Sequence, residues 1–266
     1  MAYVLDCEIT AHVEAAPEHR RMVLRAPEIA AAARPGQFCM LEVREGYCPF
    51  LRRPMSIERI FEDSVSILYK IAGEGTRMLA GLQAGTRINV QGPLGHGFPI
   101  EHDCARYILV AGGIGVAPLP GLAEALIEQT GSAPEILLAA RTDNFLLCEK
   151  EFAQMGCVTT LATDDGSAGF KGFADACLRR LEPDADTVVY VCGPTVMMRA
   201  IHDVCVEAGA RCHASLEAEM ACGDGVCMGC VVETIAENAF GKMARVCREG
   251  PVFESRAIRW SAYDDR

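Results

Sequence analysis

The sequence predicts an α+β multidomain protein: an antiparallel β-barrel domain over 1–101, a doubly wound α/β domain over 102–211 and a small cysteine-rich subdomain over 212–266. Three observations predict it. Short alternating or apolar stretches, separated by Pro-Gly and Gly-rich turns, fill the first part. Continuous apolar stretches then alternate with helical ones, the pattern of a parallel sheet covered on both faces. The last part is rich in Cys and Gly and too small to hold a large core.

In the first part the expected strands are 21–25, 37–43, 65–71 and 87–90, divided by turn chemistry at Pro35-Gly36, Gly73-Glu74-Gly75 and Gly92-Pro93. A short helix is expected over 75–82. In the second part, strands over 107–111, 135–140, 158–162 and 187–192 alternate with helices over 118–129, 148–155, 172–181 and 195–208. In the third, short strands are expected at 229–233 and 244–247. There is no internal repeat and no low-complexity segment.

The 266 residues, half of them hydrophobic, suffice for a substantial core. A formal net charge of -11 repels nucleic acid and anionic lipid, which excludes both as main partners. Residues 1–8 lack a basic region followed by an apolar core, so no signal peptide is expected. The longest uncharged run, 107–123, contains several Gly and two Pro and reads as strand, turn and helix start, so no membrane span is expected. With no secretion signal, the 14 cysteines point to a reducing, cytoplasmic setting, as thiols or metal ligands. Cys7, Cys39, Cys48, Cys104, Cys148, Cys157, Cys177, Cys192, Cys205 and Cys212 are scattered and read as small buried hydrophobes.

The other four are clustered. Cys222, Cys227 and Cys230 share one Gly-rich loop and Cys247 follows a hairpin, giving C-x4-C-x2-C…C, the plant-type [2Fe–2S] spacing. Such a cluster needs four thiolates converging on one small object. Gly223, Gly225 and Gly229 let the backbone wrap closely and aim N–H groups at the sulfurs. A structural zinc site is the alternative, although it usually pairs two knuckles across a loop.

Residues 107–118 run strand, Gly-rich turn, helix, with Gly112, Gly113, Gly115 and Val116 in the turn and Pro118 where a full G-x-G-x-x-G would have its third glycine. Exposed N–H groups and the positive end of the helix dipole suit a pyrophosphate there; a tight turn is the alternative. Cys192, Gly193 and Pro194 follow the last apolar strand, and both motifs fall on the carboxyl edge of the sheet, where ligands of such sheets bind. Asp164 and Asp165 join that edge, as ligands or as a solvated turn. In the barrel part, Arg53 can offer a bidentate guanidinium to a phosphate, Ser56 can hydrogen-bond a flavin edge, and Gly75 and Thr76 can supply N–H groups to the same pyrophosphate.

A barrel carrying R-x-x-S, then a sheet carrying G-G-x-G and C-G-P, resembles the ferredoxin–NADP reductase superfamily. The R-x-[YF]-S pattern is met as Arg53-Pro54-Met55-Ser56, with Met55 in place of the aromatic that packs on the isoalloxazine. Within the superfamily, Arg52-Arg53-Pro54-Met55-Ser56 together with Ser215-Leu216-Glu217-Ala218-Glu219-Met220-Ala221-Cys222-Gly223 resembles one branch, the electron-transfer subunits of two-subunit, NAD-linked dihydroorotate dehydrogenases. Thr163-Asp164-Asp165-Gly166-Ser167 and Lys171-Gly172 fit that branch as well.

The resemblance implies FAD held by Arg53, Pro54, Met55, Ser56, Tyr69, Lys70, Ile71, Gly75 and Thr76. It implies NAD(H) across Gly112, Gly113, Gly115, Val116, Cys192, Gly193 and Pro194, and a [2Fe–2S] cluster on Cys222, Cys227, Cys230 and Cys247. It also implies a separate FMN-containing catalytic subunit that binds orotate, in a heterotetramer of two plus two, serving pyrimidine biosynthesis. Hydride transfer requires positioning more than a general base. No acid–base catalyst is therefore expected, and His12, His19, His96, His102, His202 and His213 read as surface or structural residues. The rivals are the small subunit of an NADH-dependent ferredoxin–NADP oxidoreductase, in which the first cluster ligand is typically Asp where Cys222 stands here, the reductase component of an oxygenase, and a non-enzymatic Fe–S interaction module.

Overall fold

The computed structural model describes residues 2–43, 49–238 and 241–263; Cys48 lies outside them. The chain opens with β1 (Tyr3–Ala16) and β2 (His19–Arg25), followed by α1 (Pro27–Ala32), β3 (Phe38–Leu41), β4 (Arg53–Ile60), β5 (Ser64–Lys70), α2 (Glu74–Ala80) and β6 (Arg87–Leu94). The six strands close into a barrel in the order β1-β2-β5-β4-β3-β6. β1 spans 14 residues and pairs with both β2 and β6. Register shifts at Ile9/Ala11 and Glu14/Ala16 let so long a strand bend around the barrel. Alternation sends Ile9, Met22, Leu24, Leu41 and Ile67 inward, where Ile29 of α1 and Leu79 of α2 join them.

Next come β7 (Arg106–Gly112), α3 (Leu119–Thr130), β8 (Glu135–Ala140), α4 (Glu149–Gln154), β9 (Thr159–Thr163), β10 (Phe170–Lys171), α5 (Ala174–Arg180), β11 (Thr187–Cys192), α6 (Thr195–Ala208) and β12 (Arg211–Ser215). Their strands pair in parallel in the order β10-β9-β8-β7-β11-β12. All six residues of β11 are buried. One face of the sheet packs on α5 and α6 through Val189, Val191, Leu178 and Ile201, the other on α3 and α4 through Leu109, Leu138, Leu122 and Phe152. The sheet is thus doubly wound. No helix among the described residues is long and apolar enough to cross a membrane.

The third part holds the hairpin β13 (Val231–Asn238) and β14 (Gly241–Arg245), then β15 (Val252–Glu254). β15 returns to the large sheet and pairs antiparallel with β12, His213 opposite Glu254 and Ser215 opposite Val252. The expected division at 211/212 falls within β12, and the cysteine-bearing part is tied to the parallel sheet by main-chain bonds.

Barrel and sheet meet along β4. Glu58, fully buried, accepts a bidentate bond from Arg21, whose Nη2 also reaches Glu151 of α4 at 2.7 Å. Arg59 pairs with Glu124 of α3. A Cβ on Gly121 of α3 would lie 2.9 Å from the Glu58 carbonyl, so helix and strand are in direct backbone contact. This fixes the barrel's flavin-motif strand against the nucleotide domain.

Candidate functional site

The β13–β14 hairpin explains how distant cysteines meet. Val231 pairs with Arg245, which sets Cys230 beside Cys247, and the Cys247 N–H donates to the Cys230 sulfur at 3.4 Å. In the loop, the Cys227 N–H donates to the Cys222 sulfur and the Gly229 N–H to the Cys227 sulfur, both at 3.4 Å. The four thiols thus form two pairs, Cys222 with Cys227 and Cys230 with Cys247. A binuclear cluster needs that arrangement, because each of its irons takes two thiolates beside two sulfides. Among the described residues, no group of three or more His, Cys, Asp or Glu is gathered as around a single ion.

Electrostatics suit thiolates at the loop. Burial would raise the Cys222 thiol, but the N–H groups of Cys227, Asp224 and Val226 and the Cys227 thiol bring it down to about 7. Cys247 is pushed up to about 12, first by burial and then by the Cys230 thiol, as expected for two thiols sharing one site before a metal takes their protons. Gly223 adopts φ +74°, and a Cβ there would lie 2.5 Å from Met40 Cγ. The loop therefore lies directly on the outer wall of the barrel, and only glycine permits it. These residues fit a [2Fe–2S] cluster.

The barrel opens where the flavin motif lies. β4 pairs with β5 only from Ile57 opposite Ile67 onward. Ahead of Ile57, β4 pairs with β3 alone, Ser56 opposite Phe38 and Arg53 opposite Leu41. Residues 53–56 and 68–70 therefore diverge, leaving main-chain groups of β5 without strand partners on that side. Arg53 lies over the first turn of α2, so close that a Cβ on Gly75 would meet its Nε at 2.5 Å. Thr76 Oγ1 accepts from the N–H groups of Ala72 and Gly73 at 2.9 and 3.0 Å and shapes that turn. Met55 packs against the barrel core. Tyr69 also turns its side chain inward, its hydroxyl on His12 Nε2 at 2.9 Å, so toward a flavin it offers its backbone. A wedge lined by main-chain donors, with a guanidinium at its end, fits a flavin and its pyrophosphate.

The glycine motifs flank a cavity of about 610 Å³. Gly112, Gly113 and Gly115 line it from the end of β7, Gly193 and Pro194 from the end of β11, and Lys70 from the barrel. Ala111 opposes Cys192 in the sheet, so both motifs share one edge. A Cβ on Gly115 would lie 2.4 Å from the Cys192 carbonyl oxygen. Between β7 and α3 runs a 3-10 turn, Gly113–Val116, so Pro118 caps α3 instead of standing inside its first turn. Cys192 and Val116 are buried beneath the cavity floor, and burial pushes the Cys192 thiol up.

The two aspartates part ways. Asp165 Oδ1 accepts from the Ser167 N–H and hydroxyl at 2.9 and 2.7 Å, a turn role, while Asp164 lines the cavity near Arg141. Glu217 and His19 are among the lining residues that the sequence did not point to. Glu217 enters from the segment ahead of the cysteine loop, and desolvation pushes its carboxyl up. His19 is buried, donates Nδ1–H to the Pro17 carbonyl at 2.7 Å and faces the Phe145 ring. The register of β2 on β5, which sets His19 opposite Lys70, is the signal that could have found it. His12, His202 and His213 make structural contacts, as with His213, stacked on Tyr190 and bonded to Glu101.

A barrel with a flavin-shaped opening, a dinucleotide-sized cavity on a doubly wound sheet and a paired-cysteine loop define an iron–sulfur oxidoreductase of the ferredoxin reductase class. The comparisons agree. A family model described as the iron-sulfur cluster binding domain of dihydroorotate dehydrogenase B matches residues 217–259, and the oxidoreductase NAD-binding domain matches 109–203. The dihydroorotate dehydrogenase B (NAD(+)) electron transfer subunit of Desulforamulus reducens is 37% identical over 98% of this chain and 100% of its own. That of Bacillus mycoides is 38% identical over 87% of this chain and 89% of its own. Among solved structures, an NADH-dependent reduced ferredoxin–NADP oxidoreductase superposes with TM-score 0.85 at 29% identity, covering 98% of this chain and 92% of that one. The FAD/NAD binding domain of a Vibrio cholerae nitric oxide dioxygenase, at 19% identity and TM-score 0.70, covers 80% of this chain and 98% of its own and shares the fold. The chain belongs to the family of dihydroorotate dehydrogenase B electron transfer subunits.

Proposed function

We propose that the chain passes electrons between an FMN-containing dihydroorotate dehydrogenase catalytic subunit and NAD, in pyrimidine biosynthesis. Its cofactors are FAD and a [2Fe–2S] cluster, with NAD(H) as substrate. The flavin, when bound, exchanges a hydride with the nicotinamide on one side and single electrons with the cluster on the other.

The protein's part is placement. Arg53 and the first turn of α2, with Gly75 and Thr76, hold the flavin pyrophosphate. Pro54, Met55, Ser56 and the main chain at Tyr69, Lys70 and Ile71 frame the ring. Gly112, Gly113, Gly115, Val116, Cys192, Gly193 and Pro194 form the nicotinamide nucleotide's bed, close enough to the barrel that Lys70 lines the same cavity. Cys222, Cys227, Cys230 and Cys247 hold the cluster. Exposed Val226 and Met228 beside Cys227 give that end an apolar surface for the catalytic subunit. The assembly is a cytoplasmic heterotetramer of two plus two.

One observation carries the reading: the barrel opening touches both other sites, the nucleotide cavity through Lys70 and the cysteine loop through the Met40 wall. The test is anaerobic purification of the chain alone. It should carry flavin and iron and oxidise NADH with an artificial acceptor, yet leave dihydroorotate untouched until the catalytic subunit is added. Dihydroorotate turnover by the isolated chain, or a colourless chain, would overturn it. Light scattering of the reconstituted complex reads its stoichiometry.

A further inference from the structure

The cysteine loop and the flavin motif never touch in sequence, but one side chain lies between them. Met40 sits on β3 and is completely buried. Alternation along β3 sends Cys39 and Leu41 into the barrel, and Phe38 and Met40 outward into the same apolar cluster as Cys230 and Cys247. Gly223, next to Cys222, rests on Met40: a Cβ there would meet Met40 Cγ at 2.5 Å and Sδ at 3.1 Å, with Leu94 Cδ1 at 3.4 Å. Across the ladder Met40 opposes Pro54, the second residue of the flavin motif. Opposed residues share a face, so Met40 and Pro54 lie side by side on the wall that carries the loop.

We propose that Met40 is a positioning residue for the step between flavin and cluster. Its side chain fixes the loop at contact distance from the flavin-bearing strand and keeps water out of the gap. The inference rests on the functional reading above. With both groups bound, NADH would give its hydride, and with it two electrons, to the flavin and leave as NAD+; the flavin would pass these on singly, each reducing the cluster by one electron before going to the next acceptor. Met40 exchanges no electron or proton; it holds donor and acceptor in register. A thioether on an unbranched chain fills such an irregular gap well. Replacing it with Ala leaves a void against a loop whose own glycine cannot fill it.

The test compares parent, Met40→Ala and Met40→Leu as the full holo chain, mixed anaerobically with NADH. Flavin bleaching reports hydride arrival, and freeze-quenched EPR reports cluster reduction. Met40→Ala should leave bleaching unchanged and slow cluster reduction about tenfold, the size of change that removing one packed side chain from a coupled chain produces. Met40→Leu should restore the rate. The cluster midpoint potential should hold in both variants, which separates a change of placement from a change of driving force. Should Met40→Ala lose its cluster, Met40→Val takes its place under the same expectation. Cluster reduction that keeps pace in the truncated variants, or slows only together with bleaching, overturns the proposal. Absence of NADH bleaching in the parent overturns the functional reading instead.

Discussion

Arg245 Nη1 donates to the carbonyl of Gly225 at 2.7 Å, reaching from the end of β14 into the middle of the cysteine loop. Glu249 holds the same guanidinium from the other side, accepting from Arg245 Nε at 3.0 Å and from its main-chain N–H at 2.8 Å. The loop therefore has a brace anchored beside Cys247. Arg245→Ala is expected to speed iron release to a chelator and to lower the holo melting temperature by about 2–6 °C, with flavin content unchanged. Timed chelation and calorimetry check it.

Arg53 against Gly75 is the contact on which flavin retention should turn. Removing the guanidinium forfeits a charge-assisted bond of about 1.5–3 kcal/mol, so Arg53→Ala should weaken FAD binding roughly ten- to a hundredfold. Gly75→Ala should also weaken it, because the new methyl displaces Arg53. Fluorescence titration of the apo chain with FAD reads both, and unchanged affinity in both would remove Arg53 from the site.

Gly115→Ala is expected to act through the sheet edge. Its Cβ would meet the Cys192 carbonyl oxygen, a main-chain atom that cannot swing aside. The expected outcome is a loss of about 1–3 kcal/mol in stability and a raised KM for NADH, with cluster content intact.

Asp164 should set cofactor choice, while Asp165 should not. Asp164 faces the cavity and would repel a 2′-phosphate, whereas Asp165 is occupied by Ser167. Asp164→Asn should shift the NADPH-to-NADH ratio of kcat/KM by about tenfold, or 1.4 kcal/mol, toward NADPH. Asp165→Asn should leave that ratio alone.

Glu217 makes stability depend on pH. Desolvation raises its carboxyl in the fold, so ionising it costs more there than in the unfolded chain. The stability carried by the neutral form is complete below the ordinary carboxylate range and is lost as pH rises through the raised value. Because Glu217 is exposed along one side, solvent screens the effect and keeps it small: Glu217→Gln should match the parent near about pH 4 and melt only slightly higher near about pH 8. Melting curves across that range decide it.

What was legible in the sequence follows from how each element is solvated. β8 and β11 match expectation end to end, because strands buried on both faces are written as unbroken apolar runs. β1 carries Asp6 and Glu8 on its outer side, and two bulges then break the alternation, so its strand character is hidden. β12 and β15 are short and take their places by pairing, β12 on β11 and β15 on β12, relationships no local pattern encodes. The cysteine quartet and glycine motifs were legible because metal spacing and close backbone approach constrain residue type. Glu217, His19 and Met40 were not, since their importance lies in what folds against them. Asp164 and Asp165 are the same residue twice, and only the turn at Ser167 tells them apart.

The segment that follows Cys247 makes three attachments at once. The Gly250 carbonyl accepts the His96 N–H at 2.6 Å, the Pro251 carbonyl accepts the Leu216 N–H at 2.9 Å, and β15 then joins β12. Barrel linker, sheet edge and cysteine part are riveted together at one dipeptide. The metal centre is accordingly no detachable cartridge. Grafting 217–259 onto another scaffold would cut the rivet, and the distances that govern electron flow are set when the chain folds rather than when a partner arrives.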